Sequence, residues 1–230
     1  MAVTVATPID RAKRILQEIG AEGIRWTNAE LGDWLNEFYA AAVALKPSVS
    51  VVNEELQLVA GTKQTIPDGG ERLLDVIRNT VGKMPPVFVA TRRELDTVRR
   101  TWHSDEATTE IERFVFDELD PRQFYVYPPA AVGAAVEILY AKVPEPHDIT
   151  QDYSTFGQEP FRLDAAYVPA AVDYMLYRAF SKDAQTGTNL NRAQLHLNQY
   201  LSQITGKAQS DQMASPNSPD ASANPPGGNA

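Results

Sequence analysis

Metal and nucleophile chemistry would begin with the histidines and cysteines. The sequence has three histidines, His103, His147 and His196, and no cysteine. A metal held on one helix needs two ligands four residues apart, so that both leave the same face. No pair of these histidines has that spacing. They read as surface or internally hydrogen-bonded side chains, and no metal or cofactor is expected. The missing cysteines exclude disulfides, zinc-thiolate centres and thiol nucleophiles. Gly61-Thr62-Lys63 resembles the end of a phosphate loop only in composition. The motif needs Gly-Lys followed by Ser or Thr, and Leu56 stands where its first glycine belongs. Carboxylates are plentiful, as in Asp105-Glu106 and at Glu110 and Glu112. Two carboxylates hydrolyse a glycosidic bond only when a cleft holds them a set distance apart. Closeness along the chain says nothing of that, and a solvated acidic face is the simpler reading. There is no Gly-x-Ser-x-Gly elbow either. The expectation is a protein that is not an enzyme.

Binding chemistry is better represented. Trp102 follows Arg99 and Arg100 and reads either as a lid on the core or as an anchor for a partner. Phe124-Tyr125-Val126-Tyr127, followed by two prolines, reads as a strand with aromatics packed on both faces, or as a docking strand. Tyr167, Tyr174 and Arg178 cluster beside the apolar stripe of one predicted helix, at about 100° per residue. Two readings stand for that row. The rings cover the edge of a bundle while their hydroxyls reach water, or the row is a protein contact, because Tyr and Arg are enriched at interface hot spots.

The elements that must position these residues follow from periodicity. Thr7 can cap, Pro8 suits a first helical turn and Asp10 favours the positive end, so a helix is predicted over 8–20 with Gly20 as its stop. Ile9, Ala12, Ile15, Leu16 and Ile19 recur along it at helical spacing. Thr27 and Glu30 form a capping box for a second helix over 28–46, ended by Pro47. From residue 48 to 145 the period changes to that of short, mainly antiparallel strands. These include a hairpin around Ala60-Gly61-Thr62, strands near Leu73–Ile77 and Val87–Ala90, a hairpin around Asp120-Pro121-Arg122, and an alternating run over Ala135–Ala141. A short helix starts near Thr91. Pro144 to Pro160 reads as a long linker. Helices return over 167–185, with Pro169 confined to the first turn, and over 189–205, together making an αα-hairpin. The apolar stripes at the two ends of the chain need partners, and each other's is the nearest. The fold class is therefore α+β: one domain over 1–206, a helical bundle from the N- and C-terminal helices with a β-rich insertion. Residues 207–230 are rich in Ser, Pro, Asn, Gly and Ala and read as a flexible tail.

The totals are those of an ordinary globular chain: 230 residues, 43 % hydrophobic and 22 % charged, with a formal net charge of −9. An acidic chain gains nothing from counterion release on DNA, which argues against dedicated nucleic-acid binding. It does suit a channel that DNA passes without sticking. The opening MAVTVATPIDRAK has no basic start followed by a long apolar run, and no stretch approaches about 18 consecutive apolar residues. The reading is a protein made and used without secretion.

Four stretches, in this order and spacing, resemble the head-to-tail adaptor (connector) proteins of tailed bacteriophages, particularly the short-tailed type. They are RWTNAELGDWLNEFYAAAVALKP at 25–47, LQLVAGTKQTIPDGGERLLDVIRN at 56–79, DPRQFYVYPP at 120–129 and DYMLYRAFSKDAQTGTNLNRAQLH at 173–196. Pro169 and the long Ser/Pro/Asn tail depart from the pattern. The resemblance implies a structural virion protein at the head-tail junction, assembled in the host bacterial cytoplasm. It implies a ring, typically of twelve subunits, that binds the portal, extends the DNA channel and presents a platform for tail tube, nozzle or fibre proteins. It carries no catalytic residue. It also implies that the C-terminal segment, with Lys207 and Met213, orders along the portal. Tyr167, Tyr174, Arg178 and Trp102 are then candidates for contact with a neighbouring subunit or the portal. Two alternatives stand beside it: a carboxylate-dependent cell-wall glycan hydrolase of a phage, or a tail-tube or stopper component one layer lower.

Overall fold

The computed structural model describes residues 3–18, 20–183 and 187–213, with the side chains of 208 and 210–213 left aside. Residues 47–143 form one compact unit, and the described residues on either side of them form another. Six α-helices and two sheets, an α+β protein, are present among the described residues.

The helical unit starts with α1 (Ala6–Leu16). Thr7 does not cap it. The first donors are met by the returning chain instead: Val5 N–H by Glu159 O at 2.9 Å and Ala6 N–H by Gly157 O at 3.0 Å. The helix ends before Gly20, with Gln17 in the left-handed region at φ 57°. The cause is Glu18, whose carboxylate turns back to accept from the N–H groups of Ile24 at 2.9 Å and Arg25 at 3.1 Å. Those bonds hold its pKa below the ordinary carboxylate value. Ile19 lies outside the described residues.

Helix α2 (Asn28–Leu45) takes the Thr27 half of the expected capping box, Glu30 N–H donating to Thr27 Oγ1 at 3.2 Å. The Glu30 carboxylate takes the Lys182 ammonium at 2.6 Å. The predicted linker after residue 143 is packed. It carries the one-turn α4 (Tyr153–Phe156) and buries His147, Phe156 and Phe161. A 3-10 turn, Ala165–Tyr167, capped by Asp164, leads into α5 (Val168–Lys182), with Pro169 in the first turn. Val168, Ala171, Val172, Met175, Leu176 and Ala179 are all buried, and α5 packs against α1, α2 and α6 (Gly187–Met213). Contacts of α5 with α6 run antiparallel: Phe180 stacks on His196, Tyr174 meets Tyr200, and Asp173 accepts from Gln203. The expected break at Gly206 is absent. Helix continues to Met213, past residue 205 where it was expected to end. A glycine in a helix costs only about 1 kcal/mol against alanine, less than its helix-forming neighbours supply together. Residues 214–230 lie outside the described residues.

The β unit holds two sheets. One is the antiparallel β1 (Val51–Gln57), β7 (Ala135–Lys142) and β3 (Gly70–Asn79), in that order. The other runs β2 (Gly61–Thr65), β6 (Gln123–Ala130), β5 (Arg113–Phe116), β4 (Phe88–Val89), with β4 parallel to β5. Hence β1 and β2 do not form the predicted hairpin; they belong to different sheets. The connection between them is held by the buried Gln64, whose Oε1 accepts from Val59 N–H at 2.8 Å. Its Nε2 donates to Val59 O at 2.7 Å and Gly61 O at 3.1 Å. Gly61 turns at φ 110° with nothing near an added Cβ. The hairpin around Asp120-Pro121-Arg122 is real, as β5 and β6 pair antiparallel. Leu58, Ile66, Val76, Phe124, Val126 and Ile138 form the core between the sheets. A second cluster, under the short α3 (Arg92–Val98), gathers Leu95, Trp102, Val115 and Tyr127.

Candidate interaction surfaces

The tyrosine row predicted for a partner is built into the interior of the helical unit. Helix α5 turns Tyr174 between α2 and α6. Its ring meets Tyr200 edge-on at 5.1 Å and Phe38 at 6.0 Å between centroids. Only 7 % of Tyr174 is exposed. Burial, with the Glu37 carboxylate nearby, raises its phenol pKa above the ordinary value. Tyr167 is 4 % exposed. Its Oη accepts from Lys46 Nζ at 3.1 Å, and the ammonium groups of Lys46 and Lys207 lie 5.7 and 5.5 Å from its ring centroid, within cation–π range. Arg178 is the outward member. Its Nη1 lies 3.0 Å from Glu37 Oε1, with the side chain 39 % exposed.

The reason is geometric. Helix α5 has neighbours on three sides, so its buried arc is wider than the stripe of a helix with one partner face. That wider arc takes in the positions of both tyrosines and leaves Arg178 at its margin. Both tyrosines are thus buried inside the unit, and the Tyr167 hydroxyl is taken by Lys46 where the edge-covering reading had it reach water.

Trp102 resolves the same way. It is almost fully buried, its Nε1–H donates to Asp96 Oδ1 at 2.9 Å, and its ring stacks on His103 with centroids 3.6 Å apart. It is the lid of the second cluster in the β unit, not a free anchor. Phe124 and Val126 face the core, while Tyr127 faces Trp102's cluster, so this strand has aromatics packed on both faces. The Met213 side chain lies outside the described residues.

Sequence reasoning missed the network around His147. Its Nδ1 lies 2.5 Å from Glu159 Oε2 and its Nε2 3.1 Å from Tyr39 Oη. A carboxylate only accepts, so Nδ1 carries the proton, and in the neutral ring Nε2 accepts from the Tyr39 hydroxyl. The His147 backbone is clamped as well: Asn36 Oδ1 accepts from its N–H at 2.8 Å and Asn36 Nδ2 donates to its carbonyl at 3.0 Å. Arg162 completes the set, reaching Glu159 Oε2 at 3.1 Å. Burial pushes the His147 pKa down, against the opposing pull of Glu159; hydrogen bonds from His147 and Arg162 hold Glu159 down. Asn36 and Tyr39 lie over a hundred residues from His147, and Glu159 lies 12 residues away, so no helical or strand spacing announces the set. The apolar Phe156 and Phe161 in a polar stretch were the one available sign. The other histidines are also engaged: His103 Nδ1 lies 2.9 Å from Thr62 Oγ1, and His196 Nδ1 lies 2.8 Å from Asp173 Oδ1.

Among the described residues, no group of three or more His, Asp or Glu is arranged to hold a metal ion. No helix among them is long and apolar enough to cross a membrane. What decides the family is the match along the chain: the model of the SU10 adaptor protein family fits residues 3–220. The chain belongs to that family. A comparison with curated proteins gives no match. The adaptor is thus a phage head-to-tail adaptor, a structural protein of the virion. The match covers both units of the adaptor and the two chain crossings between them, and continues past the end of α6 to residue 220.

Proposed function

We propose that the adaptor forms a ring, of about twelve copies by its likeness to phage connectors, that joins the portal to the tail and extends the DNA channel. The observation that carries this reading is the family match over residues 3–220. Two properties support it. The net charge of −9 favours a wall along which DNA slides without sticking. The His147 network of the helical unit and the Gln64 and Trp102 contacts of the β unit bond within the chain and read as scaffold, not as a reactive centre. Helix α6 carries the chain to Met213, and the segment from Lys207 onward is the part proposed to meet the portal. Assembly takes place in the host cytoplasm, before the tail is added.

Cross-linking of purified virions with a lysine-reactive reagent, followed by peptide mass spectrometry, tests this placement. The expected result is links between copies of the chain and from Lys207 to the portal. Links to tail proteins alone would make it a tail-tube or stopper component one layer lower. Absence of the chain from virions contradicts the adaptor role.

A further inference from the structure

Leu119 is 94 % exposed, at the tip of the turn joining β5 to β6. It is flanked by Asp117, Glu118 and Asp120, none of which forms an ion pair among the described residues. Leu119 N–H donates to Asp117 Oδ1 at 2.9 Å, and Asp120 N–H to Asp117 O at 3.2 Å. A leucine presented to water by a hydrogen-bonded turn, inside an acidic collar, has the form of a knob.

The helical unit has a groove of opposite character. It is open, about 630 Å³ in volume, and walled by Leu16, Trp26, Phe180 and Leu195. Ile15 and Leu195 along it are each 53 % exposed. Its cations are Arg25, which bonds Asp183, and Arg192, whose guanidinium lies 5.6 Å from the Phe180 ring centroid. Arg192 has no carboxylate partner among the described residues.

We propose that this groove receives the Asp117–Asp120 turn of a second copy. Leu119 enters between Leu16 and Leu195, and Glu118 and Asp120 meet Arg192 and Arg25. This rests on the self-assembly proposed above and names the two surfaces it uses. Knob and groove are different surfaces, so the contact is heterologous and leaves each copy a free knob and a free groove for the next. Charge complementarity fixes the pairing, and the apolar contact supplies the burial.

The chain has no cysteine, so Leu119→Cys and Leu195→Cys introduce the only thiols. Each variant is assembled, alone or on portal rings, and oxidised. Neither single variant forms disulfide dimers; an equimolar mixture does, and the double variant gives a ladder of multimers. Separately, Arg192→Glu weakens self-association by about tenfold or more, and adding Asp120→Arg restores it. Rings without these bridges overturn the surface assignment and leave the ring reading intact. So do Leu119→Cys homodimers, a bridge confined within one chain, or Leu195→Cys linked to portal or tail protein. Failure of the wild-type chain to self-associate even on portal overturns both.

Discussion

His147 makes the helical unit sensitive to acid. The neutral ring fits its site, accepting from Tyr39 and donating to Glu159, while burial opposes a second proton. Its folded pKa lies below the ordinary 6.5, so the unfolded chain binds the proton first as pH falls. Stability from His147 is full above pH 6.5 and is lost as pH falls from there through the lowered value. Glu159 adds a second loss in the same direction, starting below its ordinary 4.5. Urea midpoints measured between pH 8 and pH 5 are expected to fall for the wild type. In His147→Gln that fall is largely removed, while stability at pH 8 drops because the histidine's bonds are gone. The row on α5 separates by burial. Tyr174→Ala removes a buried ring and costs about 3 kcal/mol or more. Arg178→Ala loses a half-exposed ion pair worth less than about 1 kcal/mol. Equal losses in urea titrations would contradict the interior role of the tyrosine.

At the scale of elements, α6 offers a direct check. It runs through Gly206, where an added Cβ meets nothing within 4 Å. Gly206→Ala is therefore expected to stabilise the helical unit by about 0.5–1 kcal/mol and to raise helical ellipticity slightly. No change would mean that the helix stops where the composition shifts. That comparison also shows what local sequence carries. The Thr27 cap, the first-turn Pro169, the six-residue apolar face of α5 and the β5–β6 hairpin follow from spacing and turn chemistry within a few residues. The start of α1, the sheet partners of β1 and β2, and the packed segment after residue 143 do not. Each is settled by distant groups: carbonyls near residue 158 receive the first donors of α1, Gln64 holds the crossing between the sheets, and His147 docks on α2.

For the whole molecule, the ordered set of four stretches already resembled a phage connector in the sequence, and the family match agrees. The individual contact residues were harder to read, because a tyrosine beside an apolar stripe looks the same whether its cover is its own bundle or a neighbour. Only the packing of α2 and α6 around α5 distinguishes the two. The central claim is that copies of this chain build a ring on the portal. The most direct measurement is electron microscopy of the purified protein mixed with its portal. Two stacked rings sharing one axis and one channel are the predicted result. Portal rings that stay bare at saturating protein, with the chain also missing from purified virions, would contradict it.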